Sequence, residues 1–121
     1  MFQALICCSM LCAIDGHMVP EPMLAHPVQL TFSSEFHKAG ESYFSQDGTR
    51  LIFQAVPAVG EGESPDEHYG MYVSEVVRDD AGAVTALHNT RRISPPDSAN
   101  TCGWFYPGRR DRVLFATTTT S

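Results

Sequence analysis

The chain has 121 residues, of which 43% are hydrophobic and 18% charged, and it carries a formal net charge of −6. This is the composition of a globular domain rather than a disordered segment, and the length suits one ordinary domain. The charge balance also argues against a nucleic-acid partner, because such binding needs a basic stripe to displace counterions. The basic clusters here are only Arg91-Arg92 and Arg109-Arg110 with Arg112, and they read as solvated strand ends and a turn.

The first element in chain order is an apolar run, Phe2 to Ile14, without Lys or Arg. Its length fits the hydrophobic core of a secretory signal and falls short of the ~20 apolar residues of a membrane-spanning helix. Residues 1–16 are therefore expected to act as a signal or export segment, which implies a periplasmic or secreted protein; a cytoplasmic location is the alternative. No transmembrane span is expected. Cys7, Cys8 and Cys12 lie in this run, and no Leu-x-Gly/Ala box precedes them. Without the run, Cys102 is the remaining cysteine, so no internal disulfide framework is expected.

Residues 17–27 include Pro20, Pro22 and Pro27 and show no period. Proline lacks the ladder donor, so this stretch reads as a linker to a domain spanning 28–121. Val28 to Phe32 is a strand candidate, and Ser33 to Gly40 reads as a polar loop. Glu41 to Phe44 and Arg50 to Val56 read as strands joined by a turn at Gln46-Asp47-Gly48-Thr49. Asp-Gly between apolar runs is a strong hairpin signal, since Gly accepts φ > 0 without steric cost. Pro57 to His68 is a Gly-, Pro- and acid-rich loop.

Tyr69 to Val77 is β-rich, with Met71, Val73 and Glu75 on one face and Tyr72, Ser74 and Val76 on the other. Asp79-Asp80-Ala81-Gly82 is a second hairpin turn. Ala83 to Leu87 extends a strand or fills a loop, and Arg91 to Ser94 closes the unit before Pro95-Pro96 breaks it. The final candidates are residues 102–106 and 112–117, expected to pair. No segment has helical periodicity.

A repeat underlies these elements. Ser42 to Phe53 (SYFSQDGTRLIF) recurs as Gly103 to Phe115 (GWFYPGRRDRVLF). Phe44 and Phe105 are 61 positions apart and Phe53 and Phe115 are 62 apart, so one inserted residue near the second turn restores the match. Leu30 and Ile93, 63 apart, extend the period to a further element. Repetition on this scale points to stacked β-units that bury their faces against one another. Each unit has four strands, the number in a β-propeller blade.

Ser45-Gln46-Asp47-Gly48-Thr49-Arg50-Leu51-Ile52-Phe53 resembles the S-P-D-G-x-x-I-x-F core of the TolB-like β-propeller repeat, with Gln46 in the usual proline position. Gln29-Leu30-Thr31-Phe32 is similar to the strand that closes a blade in that family. Thr101 to Pro107 with Val113-Leu114-Phe115 resembles the next blade, with Gly108-Arg109-Arg110-Asp111 where Asp-Gly is usual. The resemblance covers about residues 27–119. It implies an all-β fold: one antiparallel four-stranded blade plus parts of the neighbouring blades, an incomplete propeller. A closed propeller takes at least four blades, so the chain is expected either to be a fragment of a longer propeller or to self-associate through open blade edges. Phe44, Phe53, Phe105, Phe115, Tyr43 and Trp104 are expected to form blade core.

No segment carries a catalytic motif. Gly40-Glu41-Ser42-Tyr43-Phe44 lacks the closing Gly and the strand-to-helix turn of a nucleophile elbow. Ser45-Gln46-Asp47-Gly48 resembles a sialidase box, but Asp before Gly reads as local turn chemistry. His37, Glu41, Asp66, Glu67 and His68 are metal-capable, yet no ligand spacing links them, so neither a metal nor a cofactor is expected. The segments 37–41 and 98–102 precede equivalent strands, and the resemblance places both near a channel mouth. His37, Lys38 and Glu41, with Asn100 and Cys102 opposite, are the candidate contacts for a protein or small ligand. The expected function is a non-enzymatic binding scaffold of the cell envelope. One alternative is the propeller part of a larger prolyl-oligopeptidase-like hydrolase whose catalytic domain lies outside this chain. Another is a truncated product without a function of its own.

Overall fold

A computed structural model describes residues 26–109 and 111–118. Six strands follow in order: β1 (Phe36–Phe44), β2 (Arg50–Pro57), β3 (Gly70–Arg78), β4 (Val84–Arg92), β5 (Asn100–Phe105) and β6 (Val113–Thr117). The first four form one antiparallel sheet in the order β1-β2-β3-β4, and β5 pairs with β6 in a second, two-stranded sheet. Among the described residues there is no helix, hence none long and apolar enough to cross a membrane. The expected signal segment lies outside the described residues.

β1 pairs with β2 across the turn that Asp47-Gly48 signals, with Tyr43 opposite Ile52, and β2 pairs in turn with β3, with Ile52 opposite Val73. Three boundaries differ. Val28 to Phe32 is not a strand; the carbonyl of Phe32 instead accepts the amides of Glu35 and Phe36 in a turn. A β-prone run forms a strand only where a ladder partner is available, and 28–32 has none among the described residues. The polar stretch expected as a loop over 33–40 supplies the first half of β1, because β2 offers a ladder as far as Pro57. Val84 to Leu87 and Arg91-Arg92 are parts of one continuous strand, β4, with a bulge between them.

The alternation of β2 and β3 sends side chains to two faces. Leu51, Phe53, Ala55 and Tyr72 are buried on one, with Phe36, Val76 and Leu87 packed around them. Phe36 meets both Phe53 and Tyr72 edge-on, at centroid distances of 5.6 and 5.2 Å. Ile52, Met71 and Val73 are buried on the other face, against Tyr43, Ile93, Phe105, Val113 and Phe115. The second sheet thus packs on the first through Phe105, Val113 and Phe115. Gly103 allows the approach: a Cβ there would run into the ends of Met71 and Ile52. Phe44 and Trp104, expected in the core, are exposed. Phe44 alternates away from the Tyr43 face, and Trp104 alternates away from the Phe105 face that meets the first sheet.

Candidate functional site

The two hairpins repeat in backbone detail. In β1 the register shifts between Gly40 and Ser42, leaving Glu41 as the extra residue; in β5 it shifts between Thr101 and Trp104, across Cys102 and Gly103. Glu41 and Cys102 are equivalent in the repeat, and both non-glycine residues hold left-handed φ, 41° and 56°. A β-bulge of this kind re-aims the side chains around it. The turns match too: Ser45 N bonds Arg50 O and Gly48 N bonds Ser45 O, while Tyr106 N bonds Arg112 O and Arg109 N bonds Tyr106 O. The extra residue of the second copy therefore lies between Arg109 and Arg112.

Because β5 packs beside β1, equivalent positions of the two copies touch. The Tyr43 and Trp104 rings stack at 4.1 Å with 23° between their planes. Glu41 Oε2 accepts the Thr101 hydroxyl at 3.2 Å, and Glu41 Oε1 lies 3.5 Å from the Tyr43 hydroxyl. Thr101 Oγ1 and Cys102 Sγ are 3.6 Å apart. Glu41, Tyr43, Thr101, Cys102 and Trp104 thus make one surface cluster of a carboxylate, two hydroxyls, a thiol and an indole. The bulges bring the polar groups to the surface that the stacked rings continue. At the far end of the two strands, Gly108 N donates to Gln46 Oε1 at 3.2 Å. A shallow cleft of about 290 Å³ opens there between the turns, lined by Asp47, Phe105 and Arg109 among others.

Of the five site candidates, the structure brings Glu41 and Cys102 into this cluster and leaves the others apart from it. Asn100 is 5% exposed. Its Nδ2 donates to Tyr69 O at 2.9 Å and Ser98 O at 2.7 Å, so it ties the start of β5 to the start of β3. Lys38 reaches Glu67 O at 3.5 Å and sits 4.6 Å from the centre of the Tyr69 ring. That arrangement turns it toward the loop before β3. His37 is exposed at the other bulge of β1. Ser42 lies within β1. No group of three or more His, Cys, Asp or Glu is placed to hold a metal ion among the described residues.

Thr101 and the ring pair were not among the sequence candidates. Their signal was present as the equivalence of Tyr43 with Trp104, which sequence reasoning assigns to core packing. No known protein family matches the chain, and no curated protein or solved structure is detectably similar to it.

Proposed function

We propose that the protein is a binding scaffold on the TolB-like propeller plan, with β1 to β4 as one blade and β5–β6 as the first half of the next. The observation that carries this reading is which faces meet. Val113 and Phe115, which pack on the first sheet, are the repeat equivalents of Leu51 and Phe53. The surface that receives them is built on Ile52, Met71 and Val73, and Ile52 is the equivalent of Leu114. One copy therefore offers its Leu51/Phe53-type face to the Ile52-type face of the copy before it. That is a head-to-tail relation, which propagates, whereas a two-fold sandwich would close on itself.

In this arrangement β1 and β5 are adjacent first strands, and their shared surface is where a protein or small ligand is taken. The scaffold is non-enzymatic and works in the cell envelope, where the apolar run of residues 2–14 would direct it.

Among the described residues the second copy is less covered than the first. Leu114 is exposed, and β6 pairs with β5 alone among the described strands. Exposed apolar patches and unpaired edges recruit partners. The 121-residue chain is expected to bind a hydrophobic dye and to self-associate at about micromolar concentration, read by light scattering coupled to size exclusion. A dye-silent, sharply melting monomer would overturn the scaffold reading.

A further inference from the structure

Glu41 is an exposed carboxylate held by neutral donors. Thr101 Oγ1 and the Tyr43 hydroxyl orient its two oxygens, and no Lys, Arg or His pairs with it among the described residues. A carboxylate has about four acceptor sites, and two hydroxyl contacts leave room for more without reducing the charge. The bulge fixes where that charge points. Beside it, Tyr43 backs one side of the Trp104 ring, and Trp104 remains 54% exposed. An oriented anion next to an exposed, braced indole is complementary to an organic cation. The carboxylate supplies paired acceptors and the indole supplies a π-face that attracts positive charge.

The geometry points to a receptor for a guanidinium group, the side chain of an arginine on a partner polypeptide, formed by Glu41, Tyr43, Thr101 and Trp104. Guanidinium fits better than ammonium for a physical reason. It is planar and weakly hydrated, so it can stack on the indole while its N–H fork faces the carboxylate; a compact ammonium does only one of these well. The net charge of −6 favours the approach of such a partner. The inference rests on reading the β1–β5 surface as ligand-facing and names the chemistry of its ligand.

Trp104 is the single tryptophan of the chain, so its fluorescence reports this site without labelling. The full chain is titrated with N-acetyl-arginine methylamide, with the lysine and glycine analogues alongside. The expected result is a saturable change in emission with the arginine probe, weaker with lysine and absent with glycine. Glu41→Gln should lower the affinity about tenfold or more, because the charge-assisted contacts are lost. In the unaltered protein, 1 M salt should also weaken binding, since an exposed ion pair is screened; this arm holds even if the variant fails to fold. An absent response, an equal response to arginine and glycine probes, an unchanged affinity in Glu41→Gln, or indifference to salt would each overturn the proposal. Self-association that persists without guanidinium binding removes this ligand class and leaves the scaffold. Guanidinium binding to a dye-silent monomer supports the receptor and removes the scaffold.

Discussion

The β1–β2 and β5–β6 hairpins share register, bulge and turn bonds, yet they sit in different surroundings. Ile52 is 0% exposed, while its equivalent Leu114 is 57% exposed. Phe53 is buried, and Phe115 is half-buried. The first hairpin has β3 along its second strand and another sheet over its Ile52 face; the second has neither among the described residues. Local pattern is thus enough to set strands, bulge and turn, whereas burial comes from neighbours. The same apolar strand is core in one setting and surface in the other.

The sharpest way to break this comparison is to truncate the equivalent pair. Ile52→Ala should cost about 2–5 kcal/mol, since it opens a cavity between the sheets. Leu114→Ala should stay within about 0.5 kcal/mol at concentrations below those of self-association, as exposed substitutions do. Urea unfolding of both variants decides it, and equal losses would mean that Leu114 is covered in solution. Next in size is Gly103→Ser, which gives the second copy the residue of the first, Ser42. The added Cβ would meet Met71 and Ile52, so a loss of about 1–3 kcal/mol is expected from overpacking. Ser42→Gly, the reverse exchange, should cost no more than about 1 kcal/mol, the entropy of a strand glycine.

The turns differ in how they are held. In the first, Ser45 Oγ donates to Asp47 Oδ1 at 2.7 Å and accepts the Arg50 amide at 2.9 Å, and Asp47 Oδ1 accepts Thr49 N at 3.1 Å. Ser45 is buried. Ser45→Ala should therefore cost about 1–2 kcal/mol in chemical unfolding, because a backbone donor loses its partner. The same variant in a background already lacking Asp47 should cost less; full additivity would mean the two do not act together. Gln54, equivalent to Ala116, leaves its Oε1 buried without a hydrogen bond among the described residues. Gln54→Met removes that orphan acceptor and should raise the unfolding free energy by about 1 kcal/mol. A loss would mean that the amide finds a partner in solution.

Most of the sheet was legible in the sequence, because Asp47-Gly48 and Asp79-Asp80-Ala81-Gly82 are turn signals with a mechanism. The alternation of Met71, Tyr72 and Val73 likewise fixes which side chain meets which face. The single insertion in the second turn was legible as well. The bulges were not: a bulge at Glu41 changes no residue type, and its left-handed φ is usually advertised by glycine or asparagine rather than glutamate or cysteine. Missing them hid the meeting of Glu41 with Thr101, which depends on where the extra residue turns the side chain. Asn100 was misleading for the opposite reason. A polar residue before a strand looks like a ligand contact, but its amide is needed by the carbonyls of Tyr69 and Ser98.

The smallest expected effect concerns the second turn, where the carboxylate of Asp111 bonds the Arg109 side chain and, less strongly, its own backbone amide. Arg109 Nε and an Nη donate to its two oxygens at 3.1 and 3.0 Å. These bonds hold the Asp111 carboxyl below its ordinary value of 3.8 and raise Arg109 in turn. A carboxyl depressed in the folded state contributes stability above its unfolded pKa and loses that contribution as pH falls through the folded one. Both partners are exposed, so water and salt screen the pair strongly. Asp111→Asn should accordingly leave the melting temperature at neutral pH within experimental error of the parent. Any small deficit should vanish once the carboxyl of the parent is protonated. Melting curves of both proteins from neutral pH down through the carboxylate range test this. A deficit of several degrees, or one that persists in acid, would mean that the second turn depends on Asp111 as the first depends on Ser45 and Asp47.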